Sequence, residues 1–255
     1  MNRSENIHPL LHFDKERIEL NIGKNKANSY GLTLVAAFPP PPAVCNSIQR
    51  IQHKLEQLLP QCFTWYARDW LHVTLLALLR GRYRDHPPLQ RAELPADVEG
   101  FARDLSEMFG QLQPFSLKLS GLTFTRGGLV LVDVNDAIQI REQLAHPLRH
   151  HARLDPPQHP EHLHVTIGYC SVPSPFRTDE EQMAFQTGVA RIEAADLGTI
   201  EVERVWLVHY ANRTLSHVIG KVPFVLGRAT SLPVDDLLAT LGISDTKRII
   251  RQIDG

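Results

Sequence analysis

A unit of strand, helix and strand that occurs twice is the feature that most constrains the fold of this 255-residue chain. In the first copy, residues 30–79, an apolar β-rich run is followed by four prolines, a segment with apolar residues at helical spacing and a second apolar strand. The second copy spans residues 129–170. The last strand of each copy contains the tripeptide His-Val-Thr, at 72–74 and at 164–166. This repeat indicates a duplicated structure.

The remaining elements follow from the same patterns of apolar residues and from turn-forming residues. The predicted helices span 43–59, 97–112, 136–154 and 179–195, and the predicted strands span 30–38, 69–79, 115–125, 128–134, 162–170, 199–212 and 216–227. The last two strands are expected to form an antiparallel pair, and Pro147 is expected to break its helix. These elements predict a polar N-terminal lead-in at 1–29, a domain at 30–227 and a helical C-terminal tail at 228–255.

Charge and cysteine content narrow the classes of partner and compartment. Lys plus Arg total 27 and Asp plus Glu total 28, so the formal net charge of −1 does not indicate binding to long nucleic acid. A small or short phosphate ligand stays compatible with this charge. Three cysteines at irregular spacing argue against a disulfide framework and fit a reducing compartment, so we expect a cytoplasmic protein. The absence of a long apolar stretch predicts no membrane attachment.

The two His-Val-Thr strands carry the residue types that phosphodiester cleavage requires. Side chains alternate along a strand, so His72 and Thr74 project from one face with Cα atoms roughly 6.5 to 7 Å apart, as do His164 and Thr166. Cleavage needs a base, an acid and donors for the phosphate oxygens. Because the unperturbed pKa of histidine is about 6.5, one imidazole can be neutral while the other is protonated. The two motifs therefore predict a metal-independent catalytic site.

On these motifs the sequence resembles the 2H phosphoesterase superfamily, which includes bacterial 2′-5′ RNA ligase-like proteins and cyclic nucleotide phosphodiesterases. Residues 72–75 and 164–167 match its two His-x-Thr/Ser-x-hydrophobic motifs, and the similarity covers about residues 30 to 227. The resemblance implies an α+β fold with two pseudo-symmetric lobes, each an antiparallel sheet with flanking helices, around a central groove. It also implies activity on 2′,3′-cyclic phosphates, ADP-ribose cyclic phosphates, 2′-5′ linkages or RNA ends, generally without a metal.

The resemblance further implies roles for individual residues. His72 and His164 would be the catalytic pair, and Thr74 and Thr166 would bind the phosphate oxygens of a nucleotide or short RNA substrate. Which histidine is the base stays open. The hypothesis is a phosphodiesterase that acts on a 2′,3′-cyclic phosphate or a short 2′-5′ or 3′-5′ oligonucleotide. Two alternatives stay open: a nucleotide-binding module of the same fold without turnover, and a factor that processes or ligates RNA ends.

Three further features have both a functional and a structural interpretation. Tyr169 would face away from His164 in an unbroken strand and pack in the core; a role in substrate binding requires the strand to end or bulge at Gly168. The histidines between His146 and His164 suggest a metal site, but solvated side chains also explain them, and we expect no catalytic metal or other cofactor. The C-terminal tail either binds an unknown protein partner or a second copy of the chain, or packs on the domain as a lid or brace.

Overall fold

A computed structural model describes most of the chain. The described residues are 29–82, 89–125, 128–133, 138–151, 163–172, 175–192, 197–230 and 232–243. The helices are α1 (Pro42–Leu58), α2 (Val98–Gln111), α3 (Ile138–Leu148), α4 (Asp179–Ile192) and α5 (Val234–Thr240). The strands are β1 (Ser29–Ala36), β2 (Phe63–Trp65), β3 (Val73–Arg82), β4 (Phe115–Thr125), β5 (Gly128–Asp133), β6 (His164–Cys170), β7 (Thr199–Val202), β8 (Arg204–Tyr210) and β9 (Val218–Val225).

The strands form one antiparallel sheet made of two halves, so the predicted α+β class is confirmed. The order is β7-β4-β5-β6-β3-β1-β8-β9, and β2 pairs with β6 off this path. Of the seven pairs of neighbouring strands in this order, six are joined by several residue pairs, whereas β3 and β6 share only the pair Val73 and Val165. The two lobes expected from the resemblance are therefore two halves of one sheet, joined where the two His-Val-Thr motifs meet.

Alternating apolar residues explain how both halves share a core. On the motif strands, Val73, Leu75, Val165 and Ile167 are all fully buried. Helices cover this face: α1 packs against β6 and α3 packs against β3. On both helices the buried apolar residues recur three or four positions apart, which places them along one stripe toward the sheet. The core is continuous across the junction between β3 and β6.

The structure corrects the predicted elements around the first motif. The predicted strand at 69–79 begins only at Val73, because residues Arg68–Trp70 form a short 3-10 turn. His72 therefore precedes the strand instead of lying within it. The short strand β2 was not predicted; at three residues it is too brief to show a periodic pattern. Pro147 lies inside α3, one residue before the helix ends, so it does not break the helix at the preceding residue.

The predicted strand at 199–212 is two strands in different halves of the sheet. The first, β7, pairs with β4, and the second, β8, pairs with β1 and β9. The alternation of buried and exposed residues breaks at Glu203 and Arg204, which are both exposed. The chain crosses from one half to the other at this break. The predicted antiparallel pair near the C-terminus is confirmed for β8 and β9.

The described part of the C-terminal tail is packed on the domain. Leu237, Leu238, Leu241 and Ile243 are buried. A Cβ on Gly220 of β9 would lie 2.3 Å from the backbone oxygen of Thr240, so only glycine allows this approach. The tail as far as residue 243 thus braces the domain. Residues 1–28 of the predicted lead-in at 1–29 and residues 244–255 of the tail lie outside the described residues. Ser29 is already the first residue of β1, and the boundaries at 30 and 227 remain predictions.

A buried histidine of the sheet forms a hydrogen bond with the C-terminal tail. His209 on β8 donates from Nδ1 to the Leu241 carbonyl oxygen at 2.7 Å, and its Nε2 accepts from the Leu89 N–H at 3.1 Å. Both ring nitrogens of this fully buried side chain are therefore satisfied. In the part of the chain that the structure describes, no helix is both long and apolar enough to cross a membrane.

Candidate active site

The pairing of Val73 with Val165 brings the two motifs, 72–74 and 164–166, side by side. In an antiparallel register the residues that flank this pair lie opposite each other, so each histidine lies beside the threonine of the other motif. Both valines are fully buried, whereas both histidines and both threonines are only partly buried. The structure therefore brings the four predicted site residues together on one accessible face of the sheet.

The side chain of His72 is held by the turn that precedes β3. Its Nδ1 lies 2.7 Å from the carbonyl oxygen of Trp70. A carbonyl oxygen can only accept, so Nδ1 carries the proton and the lone pair of the neutral ring is on Nε2. The ring also packs edge-on against Phe38, with centroids 6.0 Å apart. These contacts fix the orientation and the tautomer of the imidazole.

The surroundings of His72 disfavour its protonated form. The pKa of His72 is lowered from 6.5 to about 4, mainly by burial and also by the nearby His164, while the hydrogen bond to Trp70 acts in the opposite direction. His72 is therefore neutral at near-neutral pH. The electrostatic effect of His164 on His72 also shows that the two imidazoles are close neighbours.

A buried arginine supports the strand of the first motif. Arg141 on α3 donates from Nε to the Leu75 carbonyl oxygen at 2.8 Å and from Nη2 to the Thr74 carbonyl oxygen at 3.0 Å. Burial lowers the pKa of this guanidinium. β3 diverges from β6 after a single pair, so its carbonyl groups here need other donors. Arg141 supplies them and so fixes the backbone of Thr74.

A bulge in β6 changes the direction in which Tyr169 projects. β5 pairs Leu129 with Gly168 and Val130 with Thr166, so Ile167 is an extra residue in β6. β6 is therefore not the unbroken strand in which Tyr169 would face away from His164, and this bulge is the condition that a role of Tyr169 in substrate binding requires. Beyond the bulge Tyr169 is partly exposed, as His164 and Thr166 are, and it lies on their side of the strand.

The bulge has two supports outside β6. Gln52 on α1 donates from Nε2 to the carbonyl oxygens of Tyr66 and Ile167, both at 2.9 Å. A Cβ on Gly168 would lie 2.6 Å from the ring of Trp65, so only glycine lets the indole cover this position. Gln52 is buried, and its amide holds β6 and the segment after β2 together.

Sequence reasoning missed two residues that adjoin Tyr169. Burial raises the pKa of Tyr66, and so does Tyr169, with which it shares a side-chain hydrogen bond; their ring centroids are 5.6 Å apart. The positive charge of Arg213 acts in the opposite direction, which places this exposed residue of the β8–β9 loop near the tyrosines. No sequence pattern marks Arg213, because its position depends on how the loop folds over the sheet.

On the other side of the first motif lies an aromatic pair with a cation. Val35 of β1 pairs with both Thr74 and Trp206, so Trp206 is on the same face as Thr74. Lys221 Nζ lies 4.8 Å from the centre of the Trp206 ring and 5.3 Å from that of Phe38. Trp206 is only partly buried, so an aromatic surface and a positive charge adjoin the motifs.

The other histidines of the predicted cluster do not join the motifs. His146 on α3 is exposed, and His150 and His151 lie with Asp104 of α2, so none of these three adjoins the His72 and His164 pair. His159 and His162 lie outside the described residues. The expectation that the catalytic site uses no metal remains a prediction.

Comparison with known proteins identifies the family. Residues 40–214 match the profile of the 2′-5′ RNA ligase superfamily, which is more than half of the chain. The chain therefore belongs to this superfamily of 2H phosphoesterases, as the two motifs predicted. Membership supports phosphodiesterase-type activity in general. A sequence search of curated proteins found no match.

Solved structures with a similar fold share little sequence with the chain. The conserved protein of unknown function ATU0111 from Agrobacterium tumefaciens is 16% identical, with a TM-score of 0.51, over 78% of this chain and 86% of that one. TT0787 of Thermus thermophilus is 16% identical, with a TM-score of 0.48, over 78% of this chain and 99% of that one. E. coli LigT complexed with 3′-AMP is 16% identical, with a TM-score of 0.45, over 71% of this chain and 88% of that one.

Proposed function

We propose that this protein is a metal-independent phosphodiesterase that opens a 2′,3′-cyclic phosphate or cleaves a short 2′-5′ or 3′-5′ oligonucleotide. His72 and His164 are its acid-base pair, and Thr74 and Thr166 donate hydrogen bonds to the phosphate oxygens. The observation that carries the proposal is the single pair between Val73 and Val165, because it sets the two motifs side by side on an accessible face. Membership of the superfamily supports the same class of reaction.

The environment of His72 favours the role of general base. Its hydrogen bond to Trp70 leaves Nε2 with the lone pair, and its lowered pKa keeps the ring neutral above about pH 4. A neutral Nε2 can accept a proton from the attacking water or hydroxyl group. His164 then donates a proton to the leaving oxygen, and the roles reverse in the opposite direction of the reaction.

The phosphate is bound by neutral donors and by cations at the edges of the site. Thr74 and Thr166 lie beside the two histidines, so two hydroxyl donors and the acid-base pair adjoin one another. Arg213 adjoins Tyr66 on one side, and Lys221 covers Trp206 on the other. These local charges supply attraction for a short nucleotide even though the net charge of the chain is −1. Trp206 and Tyr169 are the aromatic side chains available to stack on a base.

The cysteines support a cytoplasmic location as part of the same proposal. Cys45, Cys62 and Cys170 are all free thiols, and burial raises the pKa of each. A raised pKa keeps a thiol protonated and unreactive. Such residues are compatible with a reducing compartment, where nucleotide and short RNA substrates occur.

Hydrolysis of a substrate panel in EDTA tests the proposal. The panel contains 2′,3′-cyclic mononucleotides, ADP-ribose cyclic phosphate, and 2′-5′ and 3′-5′ oligoadenylates. We expect turnover of at least one member, and a decrease of about 100-fold or more in His72→Ala and in His164→Ala. His53→Ala is the matched control, because His53 is an exposed histidine on α1, away from both motifs.

Other results would favour the alternative functions. Tight nucleotide binding without turnover, weakened by the same two substitutions, would indicate a binding module. Joining of RNA ends by the wild type, with no net hydrolysis, would indicate ligation. Turnover that does not change in either histidine variant would show that the assigned site is wrong.

A further inference from the structure

A second group of histidines lies on the helical side of the molecule. Asp104 is on α2, and His150 and His151 directly follow α3. His151 Nε2 lies 2.8 Å and His150 Nε2 3.1 Å from the same carboxylate oxygen, Oδ2 of Asp104. We propose that these three side chains bind one divalent transition metal ion, with Zn²⁺ the best match to the ligand chemistry. This site is independent of the proposed phosphodiesterase activity.

The positions of the three donor atoms fit a metal ion. All three atoms lie within 4.8 Å of one another. Zn²⁺ bound by imidazole and carboxylate at about 2.0–2.1 Å places tetrahedral donor atoms about 3.3 Å apart. The distances of 2.8 and 3.1 Å from Asp104 Oδ2 lengthen by a few tenths of an ångström when such an ion binds, and the two Nε2 atoms, no more than 4.8 Å apart, adjust to the same separation. Two imidazoles and one carboxylate are a recurrent protein ligand set for Zn²⁺. The fourth position is available to water.

The exposed side chain of His150, and not the buried side chain of His151, distinguishes this arrangement from an ordinary hydrogen bond. The His151 side chain is only 3% exposed, so a bond to Asp104 satisfies a buried group that needs a partner. The His150 side chain is 65% exposed and could be solvated by water instead. Its ring nevertheless stacks beside His151, with centroids 4.1 Å apart, and directs Nε2 to the oxygen that His151 already contacts. A cation bound by all three groups explains this convergence.

The charges and packing around the cluster are compatible with a metal. Arg103 is the nearby cation, and its Nε lies 3.9 Å from Oδ1 of Asp104, which leaves Oδ2 for the ion. Phe101 packs edge-on against His151 at 5.5 Å and fixes the orientation of this ring. Such support of a ligand strengthens metal binding. The ion would tie α2 to the end of α3, the helix that carries Arg141 and so supports the first motif.

Titration of the full-length protein with Co²⁺ and Zn²⁺ tests the site. The protein is first treated with EDTA and dialysed; visible absorption then reports tetrahedral Co²⁺, and calorimetry reports the affinity for Zn²⁺. We expect one ion per chain, and a loss of affinity of about 100-fold or more in His150→Ala and Asp104→Asn, since changes in outer-shell residues alone cost about 10- to 100-fold. The melting temperature should rise with Zn²⁺ in the wild type but not in His150→Ala.

Two controls locate the ion. His146→Ala removes an exposed histidine of the same helix outside the cluster and should bind Zn²⁺ as the wild type does. A His72→Ala and His164→Ala double variant should also bind normally. Absence of saturable binding by the wild type, equal affinity in His150→Ala, or loss of the ion in the double variant would each overturn the proposal. The circular dichroism of each variant confirms that it is folded.

Discussion

The regions around the two motifs have the same tripeptide but different support. In the first, the histidine precedes its strand, donates to the Trp70 carbonyl group and adjoins a strand held by Arg141 of α3. In the second, His164 is the first residue of β6 and pairs with Val132 of β5. The bulge farther along β6 then directs Tyr169 toward the site. The two motifs thus have the same three residues, whereas the backbone and the packing around them differ.

The support of the first motif sets the properties of His72. His72 is fixed in one tautomer with a pKa lowered to about 4, which suits a base. A symmetric site would give both imidazoles the same pKa and would make their roles interchangeable. We therefore propose that the local backbone of each motif, rather than the tripeptide, sets the direction of proton transfer.

The largest expected effect distinguishes the two histidines by leaving group. On a 2′,3′-cyclic nucleotide, His72→Ala and His164→Ala should each lower kcat/KM by about 100- to 10,000-fold. A p-nitrophenyl phosphodiester has a leaving group that needs no protonation. His164→Ala should therefore recover to within about 10-fold of wild type on this substrate, while His72→Ala should not.

The steady-state rates of both variants on both substrates measure this contrast. Rescue of His72→Ala alone would reverse the assignment, with His72 as the acid. Equal rescue of both variants, or of neither, would contradict any fixed division of roles between the motifs.

The next effect concerns the support of the first motif. Arg141→Met removes two donors from the Thr74 and Leu75 carbonyl oxygens, so the free energy of unfolding should fall by about 2–4 kcal/mol. A displaced Thr74 should also lower kcat by about 10- to 100-fold. Urea denaturation and steady-state kinetics measure the two effects. Arg191→Met on α4 is the control, because Arg191 is exposed, and equal results for both variants would show that Arg141 supports nothing specific.

The pH dependence of kcat/KM is a third test of the asymmetry. The base form of His72 is the neutral ring, which is populated above its pKa of about 4. We expect kcat/KM to fall about tenfold per pH unit below this value and to show no acidic limb between pH 4 and 6.5. Circular dichroism at each pH identifies the range in which the protein is folded. A tenfold fall in kcat/KM per pH unit that already begins near pH 6 would contradict the assignment of His72 as the base, because its neutral form would then be lost well above pH 4.

Sequence alone predicted the parts of the molecule that depend on periodic patterns. The motif strands and the faces of their side chains followed from alternation, because Val73 and Val165 must be buried while their neighbours point the other way. The long helices followed from apolar residues at helical spacing. The catalytic residues were proposed because two equal tripeptides occurred in equivalent positions of a repeat, and the structure brings them together.

The details that differ between the motifs could not be predicted in this way. Arg141 is buried because α3 packs against β3, and its partner Leu75 on that strand lies 66 positions earlier in the chain. The bulge at Ile167 depends on the register with β5 and on Gln52, which is 115 positions away. Such contacts between distant segments leave no local pattern. They decide which groups reach the site.

The smallest expected effect tests the contribution of the bulge. Tyr169→Phe and Tyr66→Phe each remove one side of the hydrogen bond between the two hydroxyls. If the Tyr169 hydroxyl also contacts the substrate, Tyr169→Phe should raise KM by about 2- to 10-fold, the value of one hydrogen bond, and Tyr66→Phe should change it less. Steady-state kinetics on the preferred substrate measure both constants. Equal changes of KM in the two variants would show that the tyrosine pair only holds β6 in place. The bulge would then position the second motif without bringing Tyr169 into contact with the substrate.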